Sequence, residues 1–375
     1  MEPFQSIDAF RYFWWNWKVV GLNTSPKYRI LNTIYIIFIC ITGMLFPSLQ
    51  QIAQSFLVAT YAELVSNLSL SLEWACNVTK HFFLIPWFKQ IMSAHRYLEP
   101  LDIRIQRFDE ELKIMRGIVK NCRRLYVAYN VTFMTSLIFY AVNGVVNKKI
   151  MFEAYIPWDW KSSTKKYILA FGYQFWTSVV QLIISLAIDN FAICYVYVMW
   201  GHLETLAIRI SRIGYDRTKS QEDNYKELIA CVHDHGNIYQ FFELVRPVIS
   251  GAVLIQFMVT AFALCLAIFD YLFFGSNLAK LLMTLAYVAV LFCQVMPCCY
   301  FVNDLMTSSD SLTTALYSSN WMDQTPKFKK TIIIFMQRTQ KTTVIMAGNI
   351  VPVTLQTCVS IIRFSFSMFT LLKQM

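Results

Sequence analysis

The residues of this chain best able to do chemistry are ionisable groups set in apolar surroundings. Asp189 lies in the middle of a run with no other charge between Lys166 and Glu204, and Arg363 is the one charge between Lys341 and Lys373. A charge at bilayer depth is costly, so such a residue either does a job or fixes packing through a partner. For Asp189 the packing reading, an interhelical hydrogen bond shared with Asn190, weighs about two to one over a functional one. Arg363 is roughly mid-helix, so it is expected to face water or a neighbouring carboxylate rather than lipid. His233-Asp234-His235 has HxH spacing but no cysteine or carboxylate array around it, and metal binding is not expected. GxxxxGK[ST], GxSxG and HExxH are absent from the sequence, so no catalytic residue and no cofactor is assigned.

The elements that position these charges are membrane helices. The 375 residues are 56% hydrophobic and 15% charged, with mean hydropathy +0.44, the balance of a polytopic membrane protein. A crossing helix needs about 20 mostly apolar residues. Apolar stretches at 30–49, 57–86, 125–146, 167–200, 247–269, 281–302 and 345–372 predict an all-α protein with seven transmembrane helices. The second is weakest, because Glu73, Lys80 and His81 interrupt it. FWWNW, residues 13–17, reads as an interfacial or cytoplasmic lead-in, since tryptophans favour the headgroup level. With that end inside, 24 of the 33 Lys and Arg residues fall in cytoplasmic segments. The positive-inside rule therefore puts the N-terminus in the cytoplasm and the C-terminus outside. The net charge of +10 is mostly this bias and implies no nucleic-acid partner. Ten cysteines without CxxC pairs read as small buried thiols.

No linker or repeat divides the chain, so residues 1–375 read as one helical domain. The run from 171 to 211 lacks proline and would make a helix of about 60 Å, twice the bilayer core. It should project into the cytoplasm. There it would meet amphipathic segments in 201–246 (Leu228, Cys231, Ile238, Phe241, Phe242, Val245) and 303–343 (Leu312, Leu316, Ile333, Phe335, Met336), which together predict a cytoplasmic anchor. The outer halves of four spans are rich in aromatic and small polar groups, the lining of a site for a small volatile molecule. The candidates are Leu68, Ser71 and Leu72 on the second span and Ser136, Phe139 and Tyr140 on the third. Tyr173, Trp176 and Val180 lie on the fourth, and Met283, Ala286 and Tyr287 on the sixth. Aromatic walls favour a compact aromatic or heteroaromatic ligand such as a phenol or indole, by stacking.

From about residue 180 onward the chain resembles the insect odorant receptors. Four stretches carry the resemblance: HLETLAIRI after Asp189; Cys231, His235, Ile238 and Phe241 in CVHDHGNIYQF; YFVNDLMTSSDSLTTALYSSNW, with Tyr300, Asn303, Leu305, Ser309, Ala315, Tyr317 and Trp321; and IIRFSFSMFTLL, where Phe366 and Met368 stand in place of commoner tyrosines. The first 180 residues match only in layout. The resemblance implies an odorant-tuning subunit of a tetrameric cation channel in the plasma membrane of olfactory neuron dendrites, built with an obligate olfactory co-receptor. It also implies odorant binding among helices two, three, four and six, and a final helix lining the pore. Leu371 then matches the apolar gate and Gln374 its polar neighbour, with Arg363 on the same helix. Lys373 departs from the co-receptor pattern, because a cation is unfavourable at a cation channel's mouth. A G-protein-coupled chemoreceptor and a transporter share the composition. The first requires the opposite topology, and the second lacks paired broken helices at repeat-related positions.

Overall fold

A computed structural model describes residues 3–22, 29–58, 60–274 and 278–374, with the side chains of residues 29, 279 and 372–374 outside the description. It is a helical bundle around one central rod. A short lead helix, α1 (Arg11–Val19), precedes a first crossing made of α2 (Arg29–Ile39), a π-helical turn (Cys40–Leu45) and α3 (Phe46–Ser55). Then come α4 (Tyr61–Ala94), α5 (Leu98–Ile105), α6 (Asp109–Val146), α7 (Thr164–Ser211), α8 (Gln221–Phe274), α9 (Leu278–Ser318), α10 (Pro326–Thr339) and α11 (Leu355–Gln374). Among the described residues, five helices are long and apolar enough to cross a membrane: Ile30–Ser55, Asp109–Val146, Thr164–Ser211, Gln221–Phe274 and Lys280–Ser318. α4 and α11 complete the seven crossings. α4 falls short on hydropathy because its polar residues turn inward, and the apolar part of α11 (Leu355–Leu371) is shorter.

The long fourth span is one helix of 48 residues, as expected, and its apolar stretch is 89% buried. It is the core against which α6, α8 and α9 pack. The sequence separates an amphipathic cytoplasmic segment from the fifth span, whereas α8 runs unbroken for 54 residues through Pro247. α9 likewise passes through Pro297. A proline removes the hydrogen bond to the carbonyl four residues earlier, and in lipid that carbonyl needs another donor. The bundle supplies donors from neighbouring helices. Tyr129 on α6 donates to the Cys293 carbonyl, four before Pro297. The Gln181 amide on α7 reaches the Gly43 carbonyl at 3.4 Å, four before Pro47. Tyr129→Phe keeps the ring but leaves the carbonyl freed by Pro297 without its donor. It is expected to cost about 1–3 kcal/mol, read as a lower melting temperature of the detergent-solubilised protein, and an unchanged melt would reject this role.

The tryptophan-rich lead packs into the bundle instead of resting on its outside. Phe10, Phe13 and Trp17 are fully buried, and only Trp15 is well exposed. Phe10 stacks on Tyr195 of α7 with ring centroids 4.0 Å apart, and Trp17 meets Phe88 of α4 at 5.3 Å. Ser6 ties this segment down: its amide donates to Asp102 Oδ2 at 2.8 Å, and its hydroxyl lies 3.0 Å from His202 Nε2. The spacing of Phe10, Phe13 and Trp17 is helical, so one face of α1 is apolar and fills the gap between α4 and α7.

The cytoplasmic ends form the expected packed region. Leu228, Cys231, Ile238, Phe241, Phe242 and Val245 on α8 are buried, as are Leu312, Leu316 and Phe335. Ile333 instead faces outward. An ionic lattice joins four helices: Arg209 (α7) pairs with Glu111 (α6) and Asp234 (α8), and Arg104 (α5) reaches Asp234 at 2.7 Å and Glu227 at 2.5 Å. Burial raises the Asp234 carboxyl to about 6 against the pull of the two guanidiniums. Burial lowers His202 to about 3, with Arg209 adding to the effect. Two residues of His233-Asp234-His235 are thus taken up in packing, and His233 is exposed. Asp234 is in the lattice, His235 packs edge-on to Phe335, and no metal-ligand cluster occurs among the described residues. The chain then turns into α11 through a hairpin, Met346–Ala347 against Val351–Pro352, whose turn residues Gly348 and Asn349 both have positive φ. This is why the last helix starts at Leu355 and not near 345.

Candidate functional site

Two connected layers occupy the middle and outer half of the bundle. The lower layer is polar. The α4 residues 69, 73, 76 and 80 lie at helical spacing on one face turned toward α7, α8 and α9. Lys80 Nζ donates to Asp189 Oδ1 on α7 at 2.9 Å and also to Gln256 Oε1 on α8. Gln256 Nε2 donates to Gln294 Oε1 on α9 at 2.9 Å and to Thr260 Oγ1 at 3.0 Å. Ser185 donates to the other Asp189 oxygen at 3.2 Å. Asp189 therefore does hold packing between helices, but through Lys80. Asn190 donates only within its own helix, to the Leu186 carbonyl at 2.8 Å. Lys80, the charge that makes the second span look weak, is the counter-ion of Asp189. The void among these side chains is about 20 Å³, room for one water molecule and too small for an odorant.

The upper layer is aromatic. Phe152, from the connection 147–163, stands 5.2 Å from Tyr140 (α6) and 6.1 Å edge-to-face from Trp74 (α4). Its backbone is pinned by the Gln174 side chain of α7, which accepts from the Phe152 amide and donates to its carbonyl. Tyr287 (α9) donates to the Ser69 carbonyl of α4 at 3.4 Å and is close to Glu73 and Tyr140. Tyr140 thus enters the layer through Phe152, and Tyr287 through the backbone of α4. Ser71 is buried two residues on from Ser69, on another face of α4, and donates back to the Asn67 carbonyl at 2.8 Å. Leu68, Leu72 and Ser136 are half-buried on α4 and α6. Val180 is occupied elsewhere, pressed against Gly43, where a Cβ would come within 2.7 Å of it. Tyr173 also faces the first crossing, edge-on to Phe46 at 6.3 Å. Phe139, Trp176, Met283 and Ala286 expose much of their surface on the flank of the subunit, and so does Tyr140, 41% exposed, on the side away from Phe152. Trp74, Phe152, Gln174 and Glu73 complete the layer and were not among the candidates. Trp74 and Glu73 sit in the apolar run of α4 beside Ser71 and Leu72, but nothing in the spacing of a loop residue such as Phe152 shows that it folds inward.

On α11, Cys358, Ile361, Ser365 and Phe369 form the buried stripe, and Ser365 donates to the Ala261 carbonyl of α8 at 2.9 Å. Arg363 and Leu371 stand on exposed faces. The side chain of Gln374, like that of Lys373, lies outside the described residues.

A sequence model of the family described as 7tm Odorant receptor matches residues 60–366. The chain belongs to this odorant receptor family. Odorant receptor 42a of Drosophila melanogaster is 31% identical over 307 residues, covering 80% of this chain and 74% of that protein. Odorant receptor 2a of the same species is 27% identical and covers 97% of this chain and 96% of its own length. The olfactory receptor OR5 of Machilis hrabei, solved in complex with eugenol, superposes with a TM-score of 0.81 at 14% identity, over 98% of this chain and 99% of that one. A second structure of the same receptor superposes with a TM-score of 0.80 at 13% identity, over 97% of this chain and 99% of that one. The odorant receptor fold accounts for the seven crossings, including the polar α4 and the short α11. The protein is a multi-pass membrane receptor for odorants, not an enzyme.

Proposed function

We propose that this odorant receptor binds a compact volatile molecule in the aromatic layer, at Tyr140, Tyr287, Trp74 and Phe152, and gates a cation-conducting pore assembled with olfactory co-receptor subunits. The observation that carries the site is convergence: α4, α6 and the 147–163 connection each bring an aromatic ring to one place in the outer half, and Tyr287 of α9 joins α4 nearby through the Ser69 carbonyl. Several rings around a small volume favour stacking of an aromatic ligand. Ligand binding shifts the closed–open equilibrium to the extent that the open state binds it better. Exposed Arg363 and Leu371 leave one face of α11 for water or another subunit, which fits a pore-lining helix in a tetramer. Placement in dendrites of olfactory neurons follows from the same reading.

The test is odorant-evoked current in cells expressing the chain with and without the co-receptor. Current is expected only from the pair, and current from this chain alone would overturn the co-receptor requirement. Tyr140→Ala should raise the half-maximal concentration of an aromatic agonist about tenfold, the loss of one stacking contact of about 0.5–1.5 kcal/mol. Responses confined to long aliphatic esters would reject the aromatic ligand class.

A further inference from the structure

We infer that Glu73 is the specificity-determining residue of the odorant site and selects ligands that bring a hydrogen-bond donor, such as a phenolic hydroxyl or an aromatic N–H. The inference rests on the proposed odorant site and names the chemistry its floor recognises. Two observations carry it. The first is that Glu73 Oε1 is sealed from solvent and has no hydrogen-bond partner among the described residues. A buried acceptor left empty costs free energy comparable to a lost hydrogen bond, and a ligand donor would recover it.

The second is the direction of the polar layer beneath. Lys80 donates to the Gln256 carbonyl oxygen, and the Gln256 amide nitrogen donates to the Gln294 carbonyl oxygen. Gln294 then has only its amide nitrogen left, and this reaches the Glu73 carboxylate. Every donor in the series points toward Glu73, beginning from the fixed cation of Lys80. The series therefore ends in an acceptor and cannot reverse without breaking each bond. Tyr287 beside Glu73 is already committed to the Ser69 carbonyl. The void near Lys80 has room for one water only, so the ligand's aromatic body belongs on the Tyr140–Phe152–Trp74 side, with its donor turned down toward Glu73.

Matched odorant pairs test this in cells expressing the receptor with its co-receptor: 4-methylphenol against 4-methylanisole, and indole against 1-methylindole. The donor-bearing member of each pair is expected to have a half-maximal concentration at least tenfold lower. In Glu73→Gln the new carbonyl stays with Gln294 and the new NH2 group faces the ligand, so the preference should vanish or reverse. Glu73→Asp keeps the acceptor and should keep the preference at lower potency. Equal potency of the members in the unmodified receptor overturns the proposal, even if Glu73→Gln never reaches the surface. So does a Glu73→Gln shift that is the same for both members. Currents evoked only by odorants outside both pairs also overturn it, while leaving the odorant receptor reading intact. Silence to a broad odorant panel would defeat that underlying reading instead.

Discussion

Lys80→Met is expected to destabilise the receptor by about 3–5 kcal/mol, because it leaves the Asp189 carboxylate buried without its counter-ion. The pair is 2.9 Å apart, with side chains only 2% and 6% exposed, so water cannot screen what remains. The substitution also takes the donor from Gln256, which unfastens the amide series to Gln294. Asp189→Leu should fail comparably, since it strands an ammonium in the same place. The double variant Lys80→Met/Asp189→Leu should recover most of the loss, because an apolar pair of similar volume is often as stable as a buried ion pair. Fluorescence-detected size-exclusion melts and surface labelling of an external epitope read all three. If either single variant melts with the unmodified receptor, the pair does not hold α4 to α7.

Trp17→Ala should cost about 3–5 kcal/mol, the usual range for truncating a fully buried aromatic residue. Trp17 is wholly buried and contacts Phe13, Phe88 and Phe191 at centroid distances of 5.1, 5.3 and 5.6 Å. Its indole N–H has no hydrogen-bond partner among the described residues, so Trp17→Phe gives up volume but removes an unsatisfied donor. The phenylalanine variant should therefore be much milder than alanine. Trp15→Ala, two residues earlier and 60% exposed, should change the melt by less than about 0.5 kcal/mol. Equal losses at positions 15 and 17 would mean that the lead segment acts at the membrane surface after all.

The proposed site was half legible in the sequence. Tyr140 and Tyr287 stand among the sequence candidates because an aromatic residue in the outer half of a span is conspicuous, and periodicity gives its face to within a turn. Val180 and Tyr173 carry the same signal, yet they serve the contact with the first crossing. A helix buried on all sides, as α7 is, has no polar stripe to show which apolar residue faces which neighbour. Phe152 was invisible for a different reason, since its position depends on two hydrogen bonds to Gln174 from a neighbouring helix.

What the sequence by itself determined is the layer of description that depends on composition and local period. The apolar stretches set the number of crossings, the Lys and Arg bias set their direction, and the 3.6-residue period on α8 marked its buried face. Each follows from the chain's transfer into lipid or from one helix at a time, so no partner has to be known. The tertiary structure alone decided the pairings. Lys80 and Asp189 are 109 residues apart, each costly in lipid, and only their meeting at 2.9 Å turns two liabilities into one bond. The prolines at 47 and 297 would break helices but for Gln181 and Tyr129, donors from elsewhere in the chain. FWWNW would expose its rings but for the gap that α4 and α7 leave between them. In each case the free energy of a residue depends on a group distant in sequence, and that dependence is settled only when the helices pack.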